Sequence, residues 1–260
     1  MKPPSIKQPS ELKPVTPEWL NQAESERFPA SMEFWFPRLQ QIDILNLPET
    51  SWVSLEPTKI HEGTIHELHW AECDISELRN AVETVGGPPA FIRTDQASDI
   101  YNMEDASKIT SLSNKSLQSC VGGVLNFSIT KAEVPITSLV VREWLDIVNY
   151  FTAWGGKKIG VEIRVFVSDG IVDGWCFDWK KSHIDSNSSD WKSKYEQTKQ
   201  RANKHANEVA EMAQAVADEF ADVGTGAWSV DFVLTTDEKW YCTDMAPKRM
   251  SQKSNSIKKF

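Results

Sequence analysis

The sequence has no apolar run near the roughly 20 residues that cross a bilayer as a helix, and its opening, Met1-Lys2-Pro3-Pro4, lacks a signal peptide's pattern. No membrane association is expected, and the cytoplasm is the expected compartment. Cysteine is sparse: Cys73, Cys120, Cys176 and Cys242 are scattered and form no C-x-x-C pair, which fits a reduced intracellular protein. Positive charge is also short. Lys and Arg total 28 against 37 Asp and Glu, a net of −9, so non-specific nucleic-acid binding is not expected. No internal repeat is visible. Trp154-Gly-Gly-Lys-Lys158 and Gly224-Thr-Gly226 lack the Walker form and read as turns. No Ser/His/Asp spacing marks a nucleophile. His61, His66 and His69 lack standard zinc spacing and read as surface residues, and His183 reads as loop.

What is present is a mixed α+β pattern with an antiparallel sheet in the C-terminal half. Residues 1–20, rich in Pro, Ser and Lys, read as a flexible leader, and the acid-free tail from Lys248 to Phe260 as a solvated basic extension. Residues 28–37, aromatics bounded by prolines, predict an irregular brace, and Ile42 to Leu47 a short strand. Asp74-Ile-Ser-Glu77 opens a helix to about Val85 that stops at Gly86-Gly87-Pro88. Strands are predicted at 89–93, 124–129, 138–145, 159–167 and 171–177, the last two joined by the turn Ser168-Asp169-Gly170. Ser189 or Asp190 caps a long helix to about Ala221, with Val209, Met212, Ala213, Val216 and Phe220 at helical spacing; Gly224 and Gly226 end it. Eleven tryptophans serve mainly as core and surface anchors.

The most informative segment is a hairpin of residues 228–235 and 240–245 around Thr236-Asp237-Glu238-Lys239. A four-residue loop there puts Asp231 directly opposite Asp244, with the carboxylates on one face roughly 5 Å apart. Such a pair repels itself unless a cation lies between them, and a hard ion such as Mg²⁺ accepts carboxylate and phosphate oxygens together. Further charges interrupt apolar strands: Arg93, Arg142-Glu143, and Glu162 with Arg164. Glu162 and Arg164 share one strand face, leaving Val161, Ile163 and Val165 for the core. Arginine forks on such a face suit polyphosphate; the plain alternative is an Arg–Glu ladder on a solvated sheet.

The order of these elements, from about Phe28 to Pro247, resembles the ATP-grasp superfamily and within it the cell-division-cycle D123 family. Phe34-Trp35-Phe36-Pro37, with Leu47-Pro48 after it, is similar to that family's aromatic entry segment. The resemblance implies a fold of two lobes with antiparallel sheets flanking a nucleotide cleft: an N-terminal brace and lobe over 21–140, and a second lobe over 141–247. It implies that Arg93 contacts phosphates where the family more usually has Lys, with 94–99 as the mobile segment nearby. Trp144 and Leu145 would read adenine through their backbone after Arg142, Glu143 would make the polar contact at the base, and Glu162 would serve the ribose or local order. Arg164 would be the catalytic, phosphate-facing arginine, and Asp231 and Asp244 the metal ligands. One departure is Ala246, which stands where the family's Asp-x-Asn ends in Asn.

The superfamily resemblance implies ATP and Mg²⁺ as cofactors and an ATP-dependent ligase that activates a carboxylate as an acylphosphate. The D123 resemblance implies an alternative, a non-catalytic ATP-binding chaperone that assembles a translation initiation factor. A third reading is a nucleotide-binding domain whose activity has decayed, as Ala246 suggests. The partner is accordingly a carboxylate substrate or another protein, neither of which the sequence specifies.

Overall fold

Asp74 shows how local chemistry starts an element here. In the computed structural model its carboxylate accepts from the backbone N–H of Ser76 at 2.8 Å and of Glu77 at 3.4 Å, satisfying donors that a helix start leaves open. The structure describes residues 31–55, 73–96, 107–131, 136–153, 157–177, 179, 184, 190–223, 227–247 and 258. The leader 1–20, the three histidines 61, 66 and 69, His183, Ser189, residues 97–106 of the polar loop, Trp154 to Gly156, Gly224 to Gly226 and the tail other than Lys258 lie outside the described residues.

The described elements in chain order are α1 (Met32–Leu39), β1 (Thr50–Ser54), α2 (Ile75–Thr84), β2 (Ala90–Thr94), β3 (Lys108–Ile109), α3 (Asn114–Lys131), β4 (Ser138–Glu143), β5 (Asn149–Ala153), β6 (Lys157–Gly160), β7 (Glu162–Ser168), β8 (Ile171–Phe177), α4 (Trp191–Glu219), β9 (Ala227–Leu234) and β10 (Trp240–Pro247). The fold is α+β with antiparallel sheets. The chain groups into two compact units, one containing Glu49–Trp144 and the other Pro29–Pro48 with Leu145–Phe260.

In the first unit four strands run in the order β1-β4-β2-β3. Val53, Ala90, Ile92, Ile109, Leu139 and Val141 share one face and form a core with Leu78 and Val82 of α2 and Leu117, Val121 and Val124 of α3. The Schellman geometry at the end of α2 explains its glycines. Gly87 N–H donates to Val82 O at 2.9 Å and Gly86 N–H to Glu83 O at 3.2 Å, which needs the positive φ of 101° at Gly86.

In the second unit the order is β10-β9-β7-β8, with a separate β5-β6 ribbon. Asp169 (φ 51°) and Gly170 (φ 75°) make the two-residue turn that the β7–β8 hairpin requires, and Ser168 pairs with Ile171. The long helix α4 packs on β7 and β8 and buries Ala202, Ala206, Val209, Met212, Ala213 and Val216 on one stripe. Its N-cap is Asp190, whose carboxylate makes no capping bond and instead pairs with Lys194 at 2.9 Å.

Four predicted elements are corrected. Residues 124–129 are not a strand but the second half of α3, in which Leu117, Val121, Val124 and Leu125 fall on one buried helical face despite Gly122 and Gly123. Residues 28–30 of the aromatic brace lie outside the described residues, and the rest of it falls in the helix α1, capped by Ser31 accepting from Glu33 N–H at 3.2 Å, with Pro37 in its last turn. Ile42 to Leu47 forms turns, Ile42 N–H to Leu39 O and Leu45 N–H to Ile42 O, and only Asn46 bridges to Tyr241. The stretch 159–167 is split at Val161 between two sheets. A Cβ at Gly160 would lie 3.1 Å from Ile147 Cδ1 and 3.3 Å from Val148 O, so any larger residue here would make these neighbours give by a few tenths of an ångström.

All four cysteines are free and buried, and burial pushes the Cys73 thiol up to about 12 and Cys120 up to about 11. Among the described residues no helix is long and apolar enough to cross a membrane.

Two outcomes follow for the first unit. Leu78 is fully buried, so Leu78→Ala is expected to cost about 2–5 kcal/mol in chemical denaturation. The Ser76 hydroxyl and the Ser76 and Glu77 amides hold the Asp74 carboxyl below its ordinary 3.8. The linked stability is complete above 3.8 and is lost as pH falls through the lowered value. Asp74→Asn should therefore flatten the acid limb of a stability-versus-pH curve and leave its slope at higher pH unchanged.

Candidate functional site

The alternation of side chains along each strand decides which charges meet. In the first unit Arg93 pairs with Val140, and Phe91 pairs with both Arg142 and Lys108. Arg93, Lys108 and Arg142 therefore share the sheet face opposite the one that packs on α2 and α3. Arg93 and Arg142 are only 5% and 3% exposed, so this is no solvated ladder. The Arg93 Nε donates to Thr94 O at 3.1 Å. Lys108 Nζ lies 4.6 Å from the centre of the Trp144 ring, a cation–π contact. Sequence reasoning missed Lys108, because a two-residue strand after a polar loop has no period to read.

Glu143 points to the other parity of β4. Its Oε1 accepts from Glu49 N–H at 3.1 Å while its own N–H donates to Glu49 O at 2.9 Å, so here the side chain reinforces a backbone pairing. Trp144 and Leu145 are half-buried, and the division into units falls between them. Asp95, in the segment after Arg93, is fully buried and accepts from Thr137 N–H at 3.1 Å and Ser138 N–H at 3.4 Å, which anchors the chain there.

In the second unit Arg164 pairs with Asp231, and Asp231 with Asp244, so one row across the sheet reads Arg164, Asp231, Asp244. Glu162 is on the same face, one row along, opposite Val233 and Tyr241. Val161, Ile163 and Val165 are fully buried, as the alternation requires.

The Asp231–Asp244 register arises differently from a four-residue loop. The loop has three residues: Thr235 N–H donates to Lys239 O at 3.0 Å, and Glu238 takes φ 63°. Leu234 therefore pairs with Trp240, and the ladder would carry Asp231 to Thr243. A bulge between Cys242 and Asp244 adds one residue and restores the Asp231–Asp244 pair. Glu238 is held by Arg201 of α4, whose guanidinium keeps that carboxyl below the ordinary range.

The charge facing Asp231 is answered inside the protein. Arg164 Nε donates to Asp231 Oδ1 at 2.7 Å and Nη2 to Oδ2 at 2.6 Å, a two-pronged, partly buried ion pair. Asp244 Oδ1 accepts from Met245 N–H at 2.9 Å. Ala246 pairs with Ser229, whose hydroxyl donates to Ala246 O at 3.3 Å. The two carboxylates have the oxygen chemistry Mg²⁺ takes, yet both oxygens of Asp231 are engaged and Ala246 contributes no side-chain donor. Among the described residues no group of three or more His, Cys, Asp and Glu is placed to hold a metal ion. The pair suits only a cation that brings most of its ligands with it.

Removing one member of the Arg164–Asp231 pair strands the other in a half-dry site. Asp231→Asn and Arg164→Gln are each expected to cost roughly 1–3 kcal/mol by urea denaturation, and the double variant less than the sum of the two.

No protein-family model and no curated protein matches the sequence. Solved structures do. Cdc123 from Schizosaccharomyces pombe matches at 16% identity and a TM-score of 0.47, over 84% of this chain and 82% of that one. The ADP complex of N5-carboxyaminoimidazole ribonucleotide synthetase matches at 12% identity and a TM-score of 0.45, over 84% of this chain. The ATP-grasp ligase PsnB with its precursor peptide and AMPPNP matches at 13% identity and a TM-score of 0.44, over 92% of this chain. The chain spans 44% of the synthetase and 57% of PsnB. In solved structures, then, what this chain is similar to is ATP-grasp ligases and Cdc123.

Proposed function

We propose that the chain binds ATP together with Mg²⁺. The observation that carries this reading is the convergence of Arg93, Lys108 and Arg142 on one sheet face, with both arginines buried. An arginine fork matches phosphate oxygens two at a time, and two arginines with a lysine on one sheet face suit a phosphate chain. Trp144, already under Lys108, supplies an aromatic surface, and the backbone of Trp144 and Leu145 is assigned to the base. In the second unit Arg164 faces phosphate oxygens, Asp231 and Asp244 hold Mg²⁺, and Glu162 orders the ribose. Mg²⁺, when bound, neutralises charge on the phosphates.

The activity assigned is that of a ligase, in which ATP phosphorylates a carboxylate and a nucleophile then displaces phosphate. A second reading has its own support in Ala246 and in the Arg164 fork on Asp231, both of which favour binding over turnover. It is an assembly factor of the D123 type, in which ATP selects a partner-binding conformation. ATP consumption stimulated by a small carboxylate would support the ligase; stoichiometric ATP retention without hydrolysis, together with co-purification of a protein partner, would support the second reading.

The first measurement is thermal unfolding with ATP–Mg²⁺. A ligand at about a hundredfold its Kd adds about 2.7 kcal/mol, roughly 5–10 °C in Tm for a chain of this size. The wild-type protein should show this shift, Arg93→Ala should lose most of it, and Asp231→Asn should lose the part that depends on Mg²⁺. If saturating ATP–Mg²⁺ moves none of the three, nucleotide binding is ruled out.

A further inference from the structure

Asp231 lies between two neighbours of opposite sign, Asp244 across β10 and Arg164 across β7. The guanidinium takes both carboxylate oxygens, at 2.7 and 2.6 Å. Both side chains are mostly shielded, 16% and 25% exposed, so the pair is screened far less than a surface bridge. A divalent ion coming to Asp231 must displace the fork or sit beside it, within a few ångströms of a fixed positive charge. Of the neighbouring positions on this face, Ser229 donates to a backbone carbonyl, Ala246 offers a methyl group, and Glu162, a further carboxylate, stands one row along opposite Val233.

We propose that Arg164 is an internal counter-ion that closes the Asp231–Asp244 pair to free divalent cations. The inference rests on the reading of that pair as a metal site and adds the condition under which it opens. A phosphate group competes for the guanidinium with the same two-pronged geometry as a carboxylate, so a metal ion already carried on phosphate meets an unblocked Asp231. Binding of the metal and of the phosphate-bearing ligand are then coupled, each tightening the other by the same factor.

The test needs no nucleotide. Mn²⁺ is titrated into the intact chain and its free concentration is followed by electron paramagnetic resonance, for wild type, Arg164→Gln, Arg164→Lys and the double variant Arg164→Gln/Asp231→Asn. The wild type should show no site tighter than the millimolar range. Arg164→Gln should gain a site tighter by about tenfold or more. Arg164→Lys, which keeps charge without the fork, should fall between them, and the double variant should lose the gain. Circular dichroism establishes that each variant is folded, and the double variant, which removes both charges, covers the case in which Arg164→Gln alone unfolds: it must then be folded and bind Mn²⁺ no better than wild type, while Arg164→Lys still gains. A wild type that binds Mn²⁺ as tightly as Arg164→Gln, or a gain that persists without Asp231, overturns the proposal. A chain that passes this test but shows no thermal shift with ATP–Mg²⁺ retains the counter-ion and loses the nucleotide.

Discussion

Successive side chains of a strand project to opposite faces, and most of this molecule's chemistry follows from that constraint. In the first unit one parity, Val53, Ile92, Leu139 and Val141, builds a core with two helices, which leaves Arg93, Lys108 and Arg142 together on the other parity. In the second, Ile163 and Val165 are buried, and Glu162, Arg164, Asp231 and Asp244 share the remaining face. Apolar burial stabilises the sheets and so fixes where the charges must stand.

The two charged faces differ in sign. On the second, Arg164 answers Asp231 within the fold. The first brings three cationic side chains together, two of them buried. Each face makes its own demand: the cationic one suits an anion, and the acidic pair, with its built-in arginine, suits a cation that arrives with other ligands.

Legibility in the sequence tracks the range of the forces involved. The start and stop of α2 were readable because Asp74 and Gly86 act on their own neighbours within a few residues. The β7–β8 turn was readable for the same reason. The face shared by Glu162 and Arg164 was readable because it needs only alternation. By contrast, Val124 to Ile129 is locally strand-like, yet it continues a helix whose Val124 and Leu125 are buried in the first unit's core, a packing outside any local window. The split at Val161 depends on the close approach of Val148 to Gly160, a contact that no local window contains. Lys108 reaches the cationic face through a pairing with Phe91, distant in sequence and two residues long. The Arg164 fork was not foreseen, because the two residues were assigned to different ligands, although their strands are neighbours.

The β9–β10 hairpin reaches its register through two offsets of one residue that cancel: a loop one residue shorter than the simple hairpin needs, and a bulge at Thr243 that supplies the missing residue. Lengthening the loop alone, or straightening the bulge alone, would slide one strand by a single position and rotate Asp244 away from Asp231. Loop length and bulge are therefore linked characters, and a chain of this type can gain or lose one only together with the other. Among relatives that keep the acidic pair, insertions in this hairpin should be found in compensated sets, even where the residues at the two places share no chemistry.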